Sequence, residues 1–236
     1  MPLLFSRHLY PSNTFAVWQI AEPESKFQTD LPLMQEEIAD VVQLKGLRRA
    51  EWWASRWLLH HLTGAAQRLP LAKTAFSKPF FLDRPDLYCS LSHSHGIIGA
   101  LLSDQNCGCD IQLFAEKMRK IAPKFLHTEE AEWISQFNSV VQMDLMHLYW
   151  TMKESLYKAY SLKALDFKEH IRIAPFDWDG YEGKCTGSIQ KNEFQQQYAL
   201  MFGKNYLPVE EIAAGSGDEQ NIPYYWTICS EAETFS

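Results

Sequence analysis

A helical run from Leu145 to Leu162 constrains this chain more than any other stretch. No Pro or Gly interrupts it, Asp144 is placed to cap its start, and Leu145, Leu148, Tyr149, Met152, Leu156 and Tyr160 recur at helical spacing. Side chains four residues apart stack on one face, so Trp150, Glu154 and Lys158 form a single stripe. A carboxylate between an aromatic ring and an ammonium can hold a metal ion while the ammonium meets a phosphate. A solvated Glu-to-Lys pair worth ~0.2–0.5 kcal/mol of helix stability explains the same stripe.

The chain has 236 residues, enough to bury a sizeable core either as one domain or as two halves sharing an interface. With 46% apolar and 14% aromatic residues it reads as an ordered globule. No apolar run approaches a bilayer span and no basic-then-apolar leader opens the sequence, so a soluble cytoplasmic protein without a membrane role is expected. The 5 cysteines, at positions 89, 107, 109, 185 and 229, lack the spacing of a disulfide framework or zinc site and read as small buried apolar residues. A net charge of −7 argues against general nucleic-acid binding. Basic residues nevertheless gather at Lys45, Arg48, Arg49 and Arg56, and again at Lys117, Arg119, Lys120 and Lys124. Such clusters in an acidic chain suit a phosphorylated small molecule or an acidic protein partner, although a mixed solvated surface produces them too.

In chain order, Phe15–Ile20 reads as a first strand, residues 22–33 as a polar loop, Gln35–Val42 as a short helix and Leu47–Leu62 as a longer one ended by Gly64. On that helix Leu47, Ala50, Trp53, Ala54, Trp57, Leu58 and His61 share a face, and arginine stems lying over indole need no ligand. Residues 65–86 are loop-like. Tyr88–Leu91 and Ile97–Leu102 read as apolar strands around a polar turn, Ser92-His93-Ser94-His95-Gly96, suited to a phosphate or to an ordinary hairpin. Asn106–Ile111 reads as a buried strand whose Asp110 must be paired, hydrogen-bonded or metal-bound, or else cap a loop. A helix capped by Thr128 follows, then the Trp150 helix, then strands at 171–174, 186–189, 197–202 and 224–229. Gly215–Asp218 reads as a loop and the tail past Ser230 as frayed. Helices followed by strands in both halves hint at a duplicated unit.

Four blocks in order, Ser77-Lys78-Pro79, Leu91-Ser92-His93-Ser94, Gly108-Cys109-Asp110-Ile111-Gln112 and Trp150-Thr151-Met152-Lys153-Glu154-Ser155-Leu156-Tyr157-Lys158, resemble the 4′-phosphopantetheinyl transferases. The closer resemblance is to the larger, two-halved, surfactin-synthetase-activating type rather than the short trimeric type, and it spans about residues 45–165. It implies an α/β (α+β) fold of two similar, pseudo-twofold-related subdomains, here 1–105 and 106–236, with the active site at their interface and no partner chain needed, hence a monomer. It further implies a Mg²⁺-dependent transfer of 4′-phosphopantetheine from coenzyme A to a serine of an acyl or peptidyl carrier protein. Carried over by motif, Asp110, Glu154 and the less typical Gln112 would hold the metal, and Lys158 the pyrophosphate. Arg56, Lys78, Ser92 and His93 would hold coenzyme A, while Glu154, Lys158 and Asp110 form the catalytic set. Two departures stand out: Ser77 where the family often has Gly, and Gln112 where it has an acid. A metal-dependent pyrophosphate hydrolase and a non-catalytic binding homologue stay open as rival classes.

Overall fold

A computed structural model describes residues 3–9, 13–208 and 221–231. The first part runs β1 (Leu3–Leu9), β2 (Asn13–Gln19), α1 (Glu24–Asp30), α2 (Gln35–Val42), α3 (Gly46–Thr63), β3 (Leu71–Lys73), β4 (Pro79–Phe81), β5 (Tyr88–Ser94) and β6 (Ile97–Ser103). The second runs β7 (Cys107–Leu113), α4 (Met118–Ile121), a 3₁₀ turn (Ala122–Lys124), α5 (Thr128–Ser135), α6 (Ser139–Tyr160), α7 (Phe167–His170), β8 (Ile171–Ile173), β9 (Glu182–Lys191), β10 (Phe194–Tyr206) and β11 (Pro223–Ser230). Among the described residues the main sheets are antiparallel, one ordered β1-β2-β6-β5 and the other β7-β11-β10-β9-β8.

Side-chain alternation along the strands builds four layers. Phe15, Val17, Ile97 and Leu101 of one sheet face Cys109, Ile111, Met201, Trp226 and Ile228 of the other, forming a central core. Ala16, Ile98 and Ala100 point the opposite way, onto Trp53, Trp57 and Leu58 of α3. Leu200, Phe202 and Tyr225 point outward onto Leu148, Met152 and Leu156 of α6. The architecture is therefore the expected mixed α+β fold, with one long helix on the outer face of each sheet.

Close approach of α6 to β7 depends on small residues. Thr151, Ser155 and Ala159 are buried at four-residue steps, and a Cβ at Gly108 would lie 1.9 Å from the Ser155 carbonyl oxygen. Ser155 Oγ donates to Thr227 O of β11 at 3.1 Å, fixing the helix on the sheet. The neighbouring stripe of Trp150, Glu154 and Lys158 is half-buried and runs along the β7 edge.

Several local readings change. β1 and α1 were not anticipated, and α1 falls inside the supposed loop of residues 22–33; it buries only Phe27, too sparse a pattern to register a period. Residues 65–86 contain β3 and β4. The long helix starts at Ser139, where Asn138 Oδ1 accepts the Val140 and Val141 N–H groups at 3.1 Å. Asp144, read as the cap, instead lies buried within the helix and binds Lys204 Nζ at 2.8 Å and the Tyr225 hydroxyl at 2.7 Å. Thr128 is the first residue of α5 and His127 its cap. Ser92, His93 and Ser94 belong to β5, leaving only His95 and Gly96 to turn into β6. Leu47 is 52% exposed, because the helix buries a continuous belt from Glu51 to Leu59 rather than one stripe. Met118 and Phe125 of the basic connection are core residues, while Lys117, Arg119, Lys120 and Lys124 are exposed. Gly215–Asp218 and the tail past Glu231 lie outside the described residues.

Candidate active site

The edge strands β5 and β7 run parallel, side by side, between the two sheets. The amide N–H groups of Cys109, Ile111 and Leu113 donate to the hydroxyls of Ser90, Ser92 and Ser94 at 2.9, 3.2 and 3.0 Å. Edge donors that would otherwise be orphaned are thus satisfied by side chains at the strand period. Asp110 projects from this seam toward α6. Its Oδ1 accepts from Ser92 Oγ at 2.7 Å and from Lys158 Nζ at 2.8 Å. Lys158 Nζ also donates to Leu91 O at 3.2 Å and Cys109 O at 2.9 Å, so one ammonium ties α6 to both edge strands.

Burial, then the nearby Asp110 carboxylate, pushes the Glu154 carboxyl up to about 7, against the pull of Lys158. Burial is also the largest single influence on Lys158 and lowers it, but Asp110, Cys109 and Glu154 together leave it above its ordinary value. Two carboxylates and one ammonium therefore share a poorly solvated space. Gln112 lies two residues beyond Asp110 on the same face of β7, half-buried, with Nε2 donating to Leu113 O at 2.8 Å.

His93 meets Glu51 of α3, with Nδ1 and Oε2 3.1 Å apart, while its Nε2 faces the Arg48 guanidinium. Burial lowers its pKa, with Glu51 opposing and Arg48 acting in the same direction as burial. This pairing matches a neutral ring that donates from Nδ1 and accepts at Nε2. Glu51 Oε1 also accepts the Gly96 N–H at 2.9 Å, holding the β5–β6 turn on α3. Arg56 lies 3.7 Å over the Trp52 ring and 3.4 Å from Glu37, and burial pushes it down to about 10. Lys78 Nζ reaches Asn106 Oδ1 and the Ala159 carbonyl, two neutral oxygens, and burial lowers its pKa.

Two adjoining cavities, about 310 and about 180 Å³, share Ser77, Pro79 and Leu91 as walls. Arg48, Arg56, Lys73 and His93 line the first, and Lys78, Lys158 and Lys163 the second. In a chain of net charge −7, this concentration of cations, with Asp40 paired to Lys73 in the same lining, favours an anion. Glu51, Lys73, Asn106 and Lys163 escaped the reading of the sequence because their partners lie far along the chain. Arg49, grouped with Lys45, Arg48 and Arg56 by sequence, turns away and pairs with Glu24 at 2.9 Å. Ser77, where a glycine is usual, has φ 69°, which explains that preference.

Among the described residues no group of three or more His, Cys, Asp or Glu side chains converges as a metal site. What the seam offers is two neighbouring carboxylates, hard-oxygen donors suited to an ion that keeps water and substrate oxygens as its other ligands.

The model of the 4′-phosphopantetheinyl transferase superfamily matches residues 106–208, the stretch that carries Asp110, Glu154 and Lys158. Over that stretch the chain is similar to that superfamily. It is 28% identical over 138 residues to the 4′-phosphopantetheinyl transferase AcpT of Escherichia coli (strain K12), covering 55% of this chain and 70% of that protein. It is 30% identical over 104 residues to the 4′-phosphopantetheinyl transferase gsp of Aneurinibacillus migulanus, covering 44% and 43%. A third relative, AcpT of Salmonella typhimurium, is 30% identical over 117 residues, covering 48% and 60%. These relatives are named as transferases, and this chain carries its acidic pair and Lys158 on the strand and helix just described. No helix among its described residues is long and apolar enough to cross a membrane.

Proposed function

We propose that this transferase moves the 4′-phosphopantetheine group of coenzyme A onto a serine hydroxyl of an acyl or peptidyl carrier protein, with Mg²⁺, releasing adenosine 3′,5′-bisphosphate. The observation that carries the reading is the convergence of Asp110, Glu154 and Lys158, the last of which lines one of two adjoining cation-lined cavities. Arg48, Arg56 and His93 bind the phosphate remote from the reacting atom, and Lys78 and Lys158 lie nearer the pyrophosphate. All three Lys158 protons already point at protein oxygens, so it meets a phosphate by releasing one carbonyl or acts through its charge. Asp110 and Glu154, with Gln112 beside them, would hold Mg²⁺, which when bound supplies positive charge against the pyrophosphate. Glu154, with a carboxyl raised to about 7, is poised near working pH to take the serine proton, directly or by way of a water. Positioning and charge neutralisation account for most of such a transfer.

The test is incubation with coenzyme A, Mg²⁺ and a panel of apo carrier proteins, each weighed by mass spectrometry. A carrier gaining one phosphopantetheine supports the reading. Adenosine bisphosphate released without any carrier points to a hydrolase, and coenzyme A binding without turnover to a non-catalytic homologue.

A further inference from the structure

We propose that Ser92 is a positioning residue for Asp110, its hydroxyl committing Oδ1 to the protein so that Oδ2 is left for a divalent cation. The inference rests on the function proposed above only in taking Asp110 as a cation ligand.

A serine hydroxyl has one proton and two lone pairs. At Ser92, 4% exposed, the proton goes to Asp110 Oδ1 at 2.7 Å and the oxygen accepts the Ile111 N–H at 3.2 Å. The only proton is spent, so the side chain has nothing to donate to a phosphate, the role that the resemblance implied for it. Lys158 takes the same Oδ1 at 2.8 Å, and among the described residues none of the hydrogen bonds of Asp110 ends on Oδ2. Two donors on one oxygen fix the carboxylate plane, as the outer partners of ligating groups do. Ser90 and Ser94 make the same bond to β7 at 2.9 and 3.0 Å, and among the described residues no carboxylate is bonded to their hydroxyls. Loss of a strand-to-strand bond can therefore be separated from loss of the carboxylate anchor.

The experiment titrates Mn²⁺ into the free protein, followed by electron paramagnetic resonance, and measures the Mg²⁺ dependence of transfer at saturating coenzyme A. Ser92→Ala weakens Mn²⁺ binding roughly tenfold and raises half-saturating Mg²⁺ in parallel, leaving KM for coenzyme A at saturating Mg²⁺ unchanged. Ser92→Thr, which keeps the hydroxyl, restores both, and Ser90→Ala and Ser94→Ala change neither. Ser92→Cys keeps the size and a weak donor, falls between, and carries the test should the alanine variant not fold. Equal Mn²⁺ affinity in Ser92→Ala and Ser94→Ala overturns the proposal. So does a defect confined to KM for coenzyme A, or a wild-type protein that takes up no Mn²⁺. A wild type that modifies no carrier while the Mn²⁺ difference persists removes the proposed function and leaves the positioning role standing.

Discussion

Lys153 Nζ lies 2.6 Å from Glu130 Oε2, fully buried, whereas its neighbour Glu154 lies near Asp110 and Lys158. The same ammonium donates to the carbonyls of Phe125, Phe167 and Ile171 at 2.8, 3.0 and 3.1 Å. Glu130 in turn accepts the N–H groups of His127 at 2.8 Å and Ile173 at 3.1 Å. Of two adjacent charged residues in the most specific sequence block, one therefore clamps α5 and β8 onto α6 and the other faces the site.

Lys153→Met should lower stability by about 3–5 kcal/mol, because it strands the Glu130 carboxylate and three carbonyls in the core. Adding Glu130→Gln removes the stranded charge and should restore part of the loss. Urea unfolding of the single and double variants measures both effects. A loss under 1 kcal/mol for Lys153→Met would mean that Glu130 finds water or another partner.

Glu154→Gln should abolish most transfer while raising the stability of metal-free protein at pH 8. The folded carboxyl titrates near 7 against an ordinary 4.5. Folding thus takes up a proton between those values, and the contribution, full below 4.5, is lost as pH rises through about 7. The difference corresponds to on the order of 3 kcal/mol. In EDTA, wild-type stability should decline across that window relative to Glu154→Gln and run parallel above it. His147 acts in the opposite sense. Its Nε2 accepts the Ala115 N–H at 2.9 Å, burial lowers its pKa below 6.5, and its contribution is lost as pH falls below that value. Comparing variant with wild type isolates the Glu154 component.

The part of the fold that could be read from the sequence is the part set by period and by local punctuation. Gln35–Val42 was found to the residue, and α3 was closed correctly by Gly64, which adopts φ 62°. Asp110 was singled out because a carboxylate in an apolar strand demands a partner, and the structure supplies Lys158 and Ser92. Positions whose meaning depends on distant chain were misread. Asp144 looks like a cap until Lys204 and Tyr225 are brought beside it. The alternating Ser90, Ser92 and Ser94 were divided between a strand and a turn, since nothing local says that hydroxyls will serve an adjacent edge. Their period of two was the available signal.

Reversing Arg119 and Lys120 to Glu should raise the Michaelis constant for carrier at low salt and leave that for coenzyme A unchanged. Both side chains are exposed beside Lys117 and Lys124, whereas Met118 and Phe125, 1% and 2% exposed, are unavailable to a partner. The expected attraction to an acidic carrier is therefore electrostatic, acting mainly on the association rate and fading as salt rises. Steady-state kinetics at two ionic strengths checks it. Unaltered carrier kinetics at low salt would place the docking surface elsewhere.

Gln112→Glu should lower the Mg²⁺ concentration that half-saturates transfer. Asp110 and Gln112 share a face of β7, and the Gln112 amide is oriented by its bond to Leu113 O at 2.8 Å. A neutral amide oxygen can ligate Mg²⁺ but adds no charge, so exchange for a carboxylate strengthens the attraction to the ion. The same exchange places a third carboxylate near Asp110 and Glu154, where burial already disfavours ionisation of Glu154. Without metal, the variant should thus melt below the wild type at pH 8, and Mg²⁺ should close the gap. Turnover at saturating Mg²⁺ can fall even so, because added negative charge repels the pyrophosphate. A Mg²⁺ titration of transfer, paired with melting in EDTA and in Mg²⁺, separates these effects. Equal half-saturation together with equal melting would place Gln112 away from both the ion and the acidic pair.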